Sequence, residues 1–137
     1  MTQPGVTAEL GWLLDDLVDR VPDVLKVVVL SRDGLVMGSS RDIGREDGEY
    51  LAALAAGFHS LAIGAQPHLE SGEIRQTIVE MEKGLFFVVP AGENSCLALL
   101  SGVGANAGLV AYEMTMLVKR VHRQLSTGLR AGGPGSG

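Results

Sequence analysis

Residues 47–69 read DGEYLAALAAGFHSLAIGAQPHL, and this stretch has two faces that both call for burial. Leu51, Leu54, Ala55, Phe58, Ala62, Ala65 and Leu69 recur at the i, i+3, i+4, i+7 spacing of a helix and form a core stripe. The opposite stripe is Ala53, Ala56, Gly57, Ser60 and Gly64, where a solvated helix would carry charge. Such small side chains let a second backbone approach toward the short end of the roughly 8–10 Å range of helix spacings. Two glycines inside a helix cost about 1 kcal/mol each relative to alanine. A second copy of the chain packed on this stripe would offset that cost. The plainer readings are a tightly packed helix within a monomer, or an alanine-rich surface.

Outward from this helix, the N-terminal side reads as one helix and two strands. Residues 1–7 are expected to be flexible. A helix follows over Ala8–Arg20, with Thr7 as its N-cap and Leu10, Leu13, Leu14, Leu17, Val18 and Val21 on one face. Pro22 stops it, because the residue before a proline avoids the α region. Val24–Leu30 is β-branched and reads as a strand. Arg32-Asp33-Gly34 is a hairpin turn, and Leu35–Ser39 the return.

On the C-terminal side come three strands in quick succession, Ile74–Met81, Leu85–Val89 and Ser95–Leu100. Asn106 then caps a helix reaching about Thr127. Its core stripe is Ala107, Val110, Ala111, Met114, Leu117, Val118, Val121 and Leu125. Residues 128–137 are glycine-rich and expected to be disordered. The domain thus spans 8–127, in the order α-β-β-α-β-β-β-α. Short connections imply an α+β fold with a mostly antiparallel sheet and helices packed on it. Ile74–Met81 has polar residues on both faces, which suits an edge strand. An unguarded edge beside a small-residue helix is a ready dimer seam, with Arg75 and Thr77 joining Ala53, Ala56, Gly57, Ser60 and Gly64 in the interface. The last helix carries a second stripe, Leu109, Tyr112 and Met116, bordered by Arg120 and Arg123. Either the first helix covers it or it contacts a partner, since Tyr, Met and Arg are enriched in interfaces.

Composition narrows the function. The 137 residues support one domain, and a net charge of -5 disfavours nucleic acid or an anionic membrane as partner. The N-terminus lacks the pattern of a signal peptide and no apolar run approaches the ~20 residues of a membrane span. The single cysteine, Cys96, sits in an apolar run and reads as a buried, inert thiol. These features fit a cytoplasmic protein.

No catalytic or metal-binding constellation is present. His59, His68 and His122 lack metal-ligand spacing, and His59 reads as solvated or at an interface. The serines have no GxSxG context. Asp15, Asp16 and Asp19 fall on the polar side of the first helix. Gly102-Val103-Gly104-Ala105-Asn106-Ala107 fits GxGxxA between a strand and a helix, but no later strand supplies the acidic residue that holds a ribose. The glycines read instead as a tight turn. There is no P-loop motif, so the chain is not itself such a GTPase. No cofactor is expected.

Three stretches carry a family resemblance: Val27-Val28-Val29-Leu30-Ser31-Arg32-Asp33-Gly34-Leu35, Leu85-Phe86-Phe87-Val88-Val89-Pro90, and Cys96–Leu100 through Asn106–Met114. With the element order, they resemble the roadblock / dynein light chain family, in particular its bacterial homodimeric branch and the stand-alone proteins of actinobacterial conservons. The resemblance covers about Ala8 to Leu125. It implies a roadblock-type, profilin-like fold with a five-stranded antiparallel sheet, extended in a dimer formed by the second helix and third strand. It also implies a non-enzymatic regulator of a small Ras-like GTPase, encoded beside a sensor-kinase-like protein and recruited to the membrane through partners rather than inserted. Such a regulator can hold the GTPase's own residues in transition-state geometry. Arg32, Arg41, Arg45 and Arg75 are the candidates for an arginine acting in trans. Leu109, Tyr112, Met116 and Arg120 are candidates for partner contact. Two other readings stand beside this one: a structural adaptor in a kinase and GTPase complex without effect on GTP turnover, and a small-ligand sensor domain.

Overall fold

The computed structural model describes residues 4–132, with side-chain environments for 9–123. Its elements are α1 (Pro4–Arg20), β1 (Val24–Ser31), β2 (Val36–Ser39), α2 (Arg45–Leu69), β3 (Thr77–Met81), β4 (Gly84–Pro90), β5 (Ser95–Gly102) and α3 (Ala107–Gly132). The five strands form one sheet in the order β2-β1-β5-β4-β3, every neighbouring pair antiparallel. This is the α+β architecture expected, with β3 at an edge.

The sheet has helices on both faces, and the alternation of β1 shows why. Val27 and Val29 join Leu10, Leu14 and Leu17 of α1 and Val110, Met114 and Leu117 of α3 in one large cluster. Val28 and Leu30 join Phe86, Val88 and Ala98 beneath Ala52 and Ala55 of α2 in a smaller one. With both faces covered, the central strands read as nearly continuous apolar runs.

Local rules place most boundaries. The β1–β2 turn closes with Gly34 N–H donating to Ser31 O at 2.9 Å, and Gly34 takes φ +86°. The Asn106 side chain accepts the backbone N–H of Leu109 at 3.0 Å and caps α3.

Several boundaries differ from the sequence reading. Helix α1 begins at Pro4, so Thr7 lies inside it and is not its cap. Proline has no N–H to lose and a pre-set φ, so it opens a helix readily. Residues 1–3 lie outside the described residues. Of the tail expected from 128, residues 128–132 continue α3, and 133–137 lie outside the described residues.

Strand β3 starts at Thr77 rather than Ile74. The Ala91 N–H donates to Ser95 O at 2.9 Å, which fixes the ladder phase. Leu85, Phe87 and Val89 then bond to β5, while Phe86, Val88 and Pro90 turn their backbone groups toward β3. Pro90 has no N–H to offer there, and the pairing stops at Thr77↔Val88.

Candidate functional site

The first question at the surface is what covers α2. Its buried residues are Gly48, Ala52, Ala55 and His59, again at helical spacing. From Ser60 to Leu69 no residue is buried. Of the expected core stripe only Ala55 is fully buried. Leu51, Phe58 and Ala62 are half-buried, and Leu54, Ala65 and Leu69 are exposed. The sheet surface here carries Val28, Leu30, Phe86 and Val88, so the helix comes down on its small residues. Large residues on both sides would hold it off.

Two contacts fix the orientation of the outer face. Phe58 meets Phe86 of β4 with ring centroids 6.0 Å apart, which marks the side toward β4 and β3. Ala56 and Ala53 lie against the Gly34 turn, which marks the side toward β1 and β2. At 100° per residue, Leu54, Leu61, Ala65 and Leu69 flank Phe58. The side nearest the open edge is therefore leucine-rich. Leu61 is 73% exposed and Tyr50 is 67% exposed; neither stood out in the sequence.

The expected interface residues are only partly brought together. Ala53 and Ser60 are exposed on the hairpin side, and Ala56 is half-buried against the hairpin. A side chain at Gly57 or Gly64 would meet nothing within 4 Å. Arg75 is exposed in the segment ahead of β3, and Thr77 is the first residue of β3, opposite Val88. Ile78 and Met81 of β3 are also substantially exposed.

Of the two positions expected for His59, solvated or at an interface, the structure excludes the solvated one. The residue is buried, and its Nδ1 has no hydrogen-bond partner. Burial lowers its pKa below the ordinary value, and the Arg32 charge adds to the shift. The imidazole is a neutral core residue. The spacing Gly48, Ala52, Ala55, His59 is the signal that identifies it.

On the opposite face of the molecule, α1 does not cover the second stripe of α3. Leu109, Tyr112 and Met116 remain exposed. The two helices meet one row over, through Arg20 to Glu113 at 3.1 Å and Arg120 to Asp16 at 3.9 Å. The Arg120 guanidinium also sits 5.7 Å from the Trp12 ring centroid. Arg120 is thus engaged within the chain.

The arginine candidates separate similarly. Arg41 is 2.7 Å from Asp19 and 3.6 Å from Asp15, and Arg45 is 3.4 Å from Glu49. Arg32 and Arg75 make no ion pair among the described residues.

The catalytic lookalikes resolve into structure. Asp15, Asp16 and Asp19 each pair with an arginine. The Gly102–Gly104 turn is held by Gly102 N–H donating to Asp23 O at 2.8 Å, and the Asp23 carboxylate lies against Gly104. Cys96 is buried, and burial pushes its thiol pKa up. Among the described residues no three His, Cys, Asp or Glu side chains lie close enough to share a metal. No helix among them is long and apolar enough to cross a membrane. Two clefts, one beside Leu35, Val36 and Ile43 and one beside Leu69, Ile74 and Arg75, open to solvent.

Comparison with known proteins gives a consistent picture. The Roadblock/LC7 domain model matches residues 10–101. A Roadblock/LC7 domain from Streptomyces avermitilis has a crystal structure 41% identical in sequence, covering 85% of this chain and 97% of that one, with a TM-score of 0.80. The protein MJ1340 of Methanocaldococcus jannaschii is 30% identical over 94 residues, 69% of this chain and 81% of its own. Myxococcus xanthus MglB shares the fold at a TM-score of 0.81 and 16% identity, covering 93% of this chain and 94% of that one. The chain belongs to the Roadblock/LC7 domain family.

Proposed function

We propose that this Roadblock/LC7 chain is a non-enzymatic homodimer that binds a small Ras-like GTPase and modulates its nucleotide cycle. The observation that carries the reading is the outer face of α2. Past His59 no residue of α2 is fully buried, yet its outer face is largely apolar and lies beside the unpaired edge of β3. An exposed edge and an apolar helix face are both liabilities in a monomer. Pairing two copies through α2 and β3 removes both and extends the sheet.

Regulation of hydrolysis requires no catalytic group on this chain. A surface that orders the GTPase's own switch segments in their reactive arrangement lowers the barrier. If an arginine contributes in trans, Arg32 and Arg75 are favoured, because Arg41 and Arg45 are held by carboxylates of their own chain. In this reading the exposed Leu109, Tyr112 and Met116 stripe is open to a second partner, such as a sensor-kinase-like protein, which would bring the complex to a membrane.

The test is single-turnover GTP hydrolysis by a small Ras-like GTPase from the same organism, with and without the protein. Acceleration of tenfold or more, about 1.4 kcal/mol off the barrier, supports an activator. Co-elution without any change in hydrolysis or exchange supports a structural adaptor in its place. Absence of co-elution refutes the GTPase assignment.

A further inference from the structure

We propose that the outer side of the α1–α3 layer docks an acidic amphipathic helix of a partner protein, its apolar row on Leu109, Tyr112, Met116 and Trp12 and its carboxylates at Lys119 and Arg123. This rests on the reading of that stripe as a partner surface and is independent of the GTPase assignment.

Two antiparallel helices build the surface. Arg20 of α1 meets Glu113 of α3, while Asp16, one turn earlier in α1, meets Arg120, two turns later in α3. Trp12, a further turn back, stands beside Arg120. One face of its ring lies toward that guanidinium, and the residue is still 61% exposed. On α3, Tyr112, Met116, Lys119 and Arg123 recur at i, i+4, i+7 and i+11 and are all exposed, so they form one ridge. Leu109, also exposed, extends it by a turn. The ridge is apolar over its first two turns and basic beyond them. At 1.5 Å per residue, Leu109 to Arg123 spans about 21 Å.

The form of the occupant follows from what the surface lacks. The backbone groups of α1 and α3 are spent within their own helices. An extended segment laid here would leave its inward N–H and C=O groups without partners. A helix satisfies its own, and its grooves accept a side-chain ridge.

The charge of the occupant follows from the ion pairs. Asp16 is 2.7 Å from Arg20 and 3.9 Å from Arg120, and Glu113 is 3.1 Å from Arg20. Two carboxylates and two guanidiniums thus answer one another between the helices. Lys119 and Arg123 make no ion pair among the described residues, on a chain of net charge -5. A second copy docked antiparallel, ridge to ridge about Met116, would set Arg123 against Leu109 at both ends, a charge against an apolar side chain. An anionic lipid surface would meet Asp16 and Glu113 along with the cations. A partner helix with carboxylates only at the basic end meets neither cost.

The chain's one tryptophan lies in this surface, so its fluorescence reads occupancy. The probe is a capped alanine-based helical peptide of about 18 residues, with leucines on one row of its first half and glutamates continuing that row. A second peptide carries lysine for each glutamate. The acidic peptide is expected to shift Trp12 emission to shorter wavelength and to saturate, and the lysine peptide to bind about tenfold more weakly. Lys119→Glu/Arg123→Glu, altered only at exposed positions, is expected to reverse that preference, which a merely structural role would not do. Tyr112→Ala is expected to weaken both peptides, with the fold checked by circular dichroism. Equal binding of the two peptides overturns the acidic partner and leaves an apolar docking surface. A Trp12 shift with phosphatidylglycerol–phosphatidylcholine vesicles, and none with the acidic peptide, overturns the proposal in favour of a lipid surface. Self-association that Tyr112→Ala abolishes assigns the ridge to a second copy and overturns it as well. No shift with the acidic peptide up to about 1 mM overturns the docking surface itself and leaves the GTPase reading, tested by hydrolysis, untouched.

Discussion

Replacing Leu61 by alanine separates the fold of one chain from the association of two. Leu61 lies three residues beyond Phe58 on the side of α2 facing the β3 edge, and it is 73% exposed. Full burial of a leucine side chain contributes about 1.5–3 kcal/mol, so a dimer that covers Leu61 gains about 1–2 kcal/mol per copy. A two-fold interface counts the side chain twice. Alanine keeps the Cβ, so Leu61→Ala costs about 1.5–3 kcal/mol per dimer, and the dissociation constant rises about 10- to 150-fold. The chain's own fold loses almost nothing, because the side chain touches little within it. Leu14→Ala is the contrast: Leu14 is 0% exposed, and its truncation costs about 2–5 kcal/mol of folding stability. Sedimentation equilibrium over a concentration series gives the dissociation constant, and circular dichroism at concentrations below it gives the fold. An unchanged dissociation constant for Leu61→Ala would refute the placement of α2 in the seam.

Gly57→Arg has open space around it in the chain and gains about 1 kcal/mol of helix propensity; it should fold normally and sediment as a monomer, and a persistent dimer would exclude Gly57 from the interface. The neutral His59 gives a signed pH dependence. Its folded pKa is depressed, so the unfolded chain takes up the proton first, and stability present above about pH 6.5 declines as pH falls from there toward the folded value. His59→Leu should flatten that decline in urea titrations, and a parallel profile for the two proteins would contradict the burial argument. Gly84→Ala would drive a methyl into the Ser101 carbonyl across β4 and β5 and should cost about 1–3 kcal/mol of stability, read from the urea midpoint. In the hydrolysis assay, Arg41→Ala should retain full effect on the GTPase; a loss confined to Arg41→Ala would mean its pairing with Asp15 and Asp19 opens on binding.

The sequence reading succeeded where a local rule acts alone. The β-branched run of β1, the Gly34 turn and the Asn106 cap each settled an element, and the polar residues on both faces of Ile74–Met81 placed β3 at the edge but not its start. It failed on the phase of α2, because apolar residues surround that helix and periodicity then fixes no single face. The inward row was chosen by the bulk of Phe86, Val88 and Leu30, which lie elsewhere in the chain. The solvated reading of His59 failed for the same reason. The short β3 was hidden because the residue ending it, Pro90, belongs to the neighbouring strand. The edge-and-helix surface itself was legible, since an uncharged outer stripe is visible in any helical projection; its leucine-rich side was not.

The two cores are unequal, and this orders the way the chain opens. Leucine, valine, phenylalanine and methionine side chains bind α1 and α3 to one face of the sheet, whereas α2 rests on the other through the small Ala52 and Ala55 and the half-buried Leu51 and Phe58. Regions with fewer buried apolar contacts open at lower free energy than the whole molecule. In the isolated chain, the amide protons of α2 would exchange with solvent through a partial opening that leaves β1 and β5 protected. Association would then close that opening, so the slow-exchanging nucleus of the dimer would include a helix that belongs to the fast-exchanging layer of the monomer.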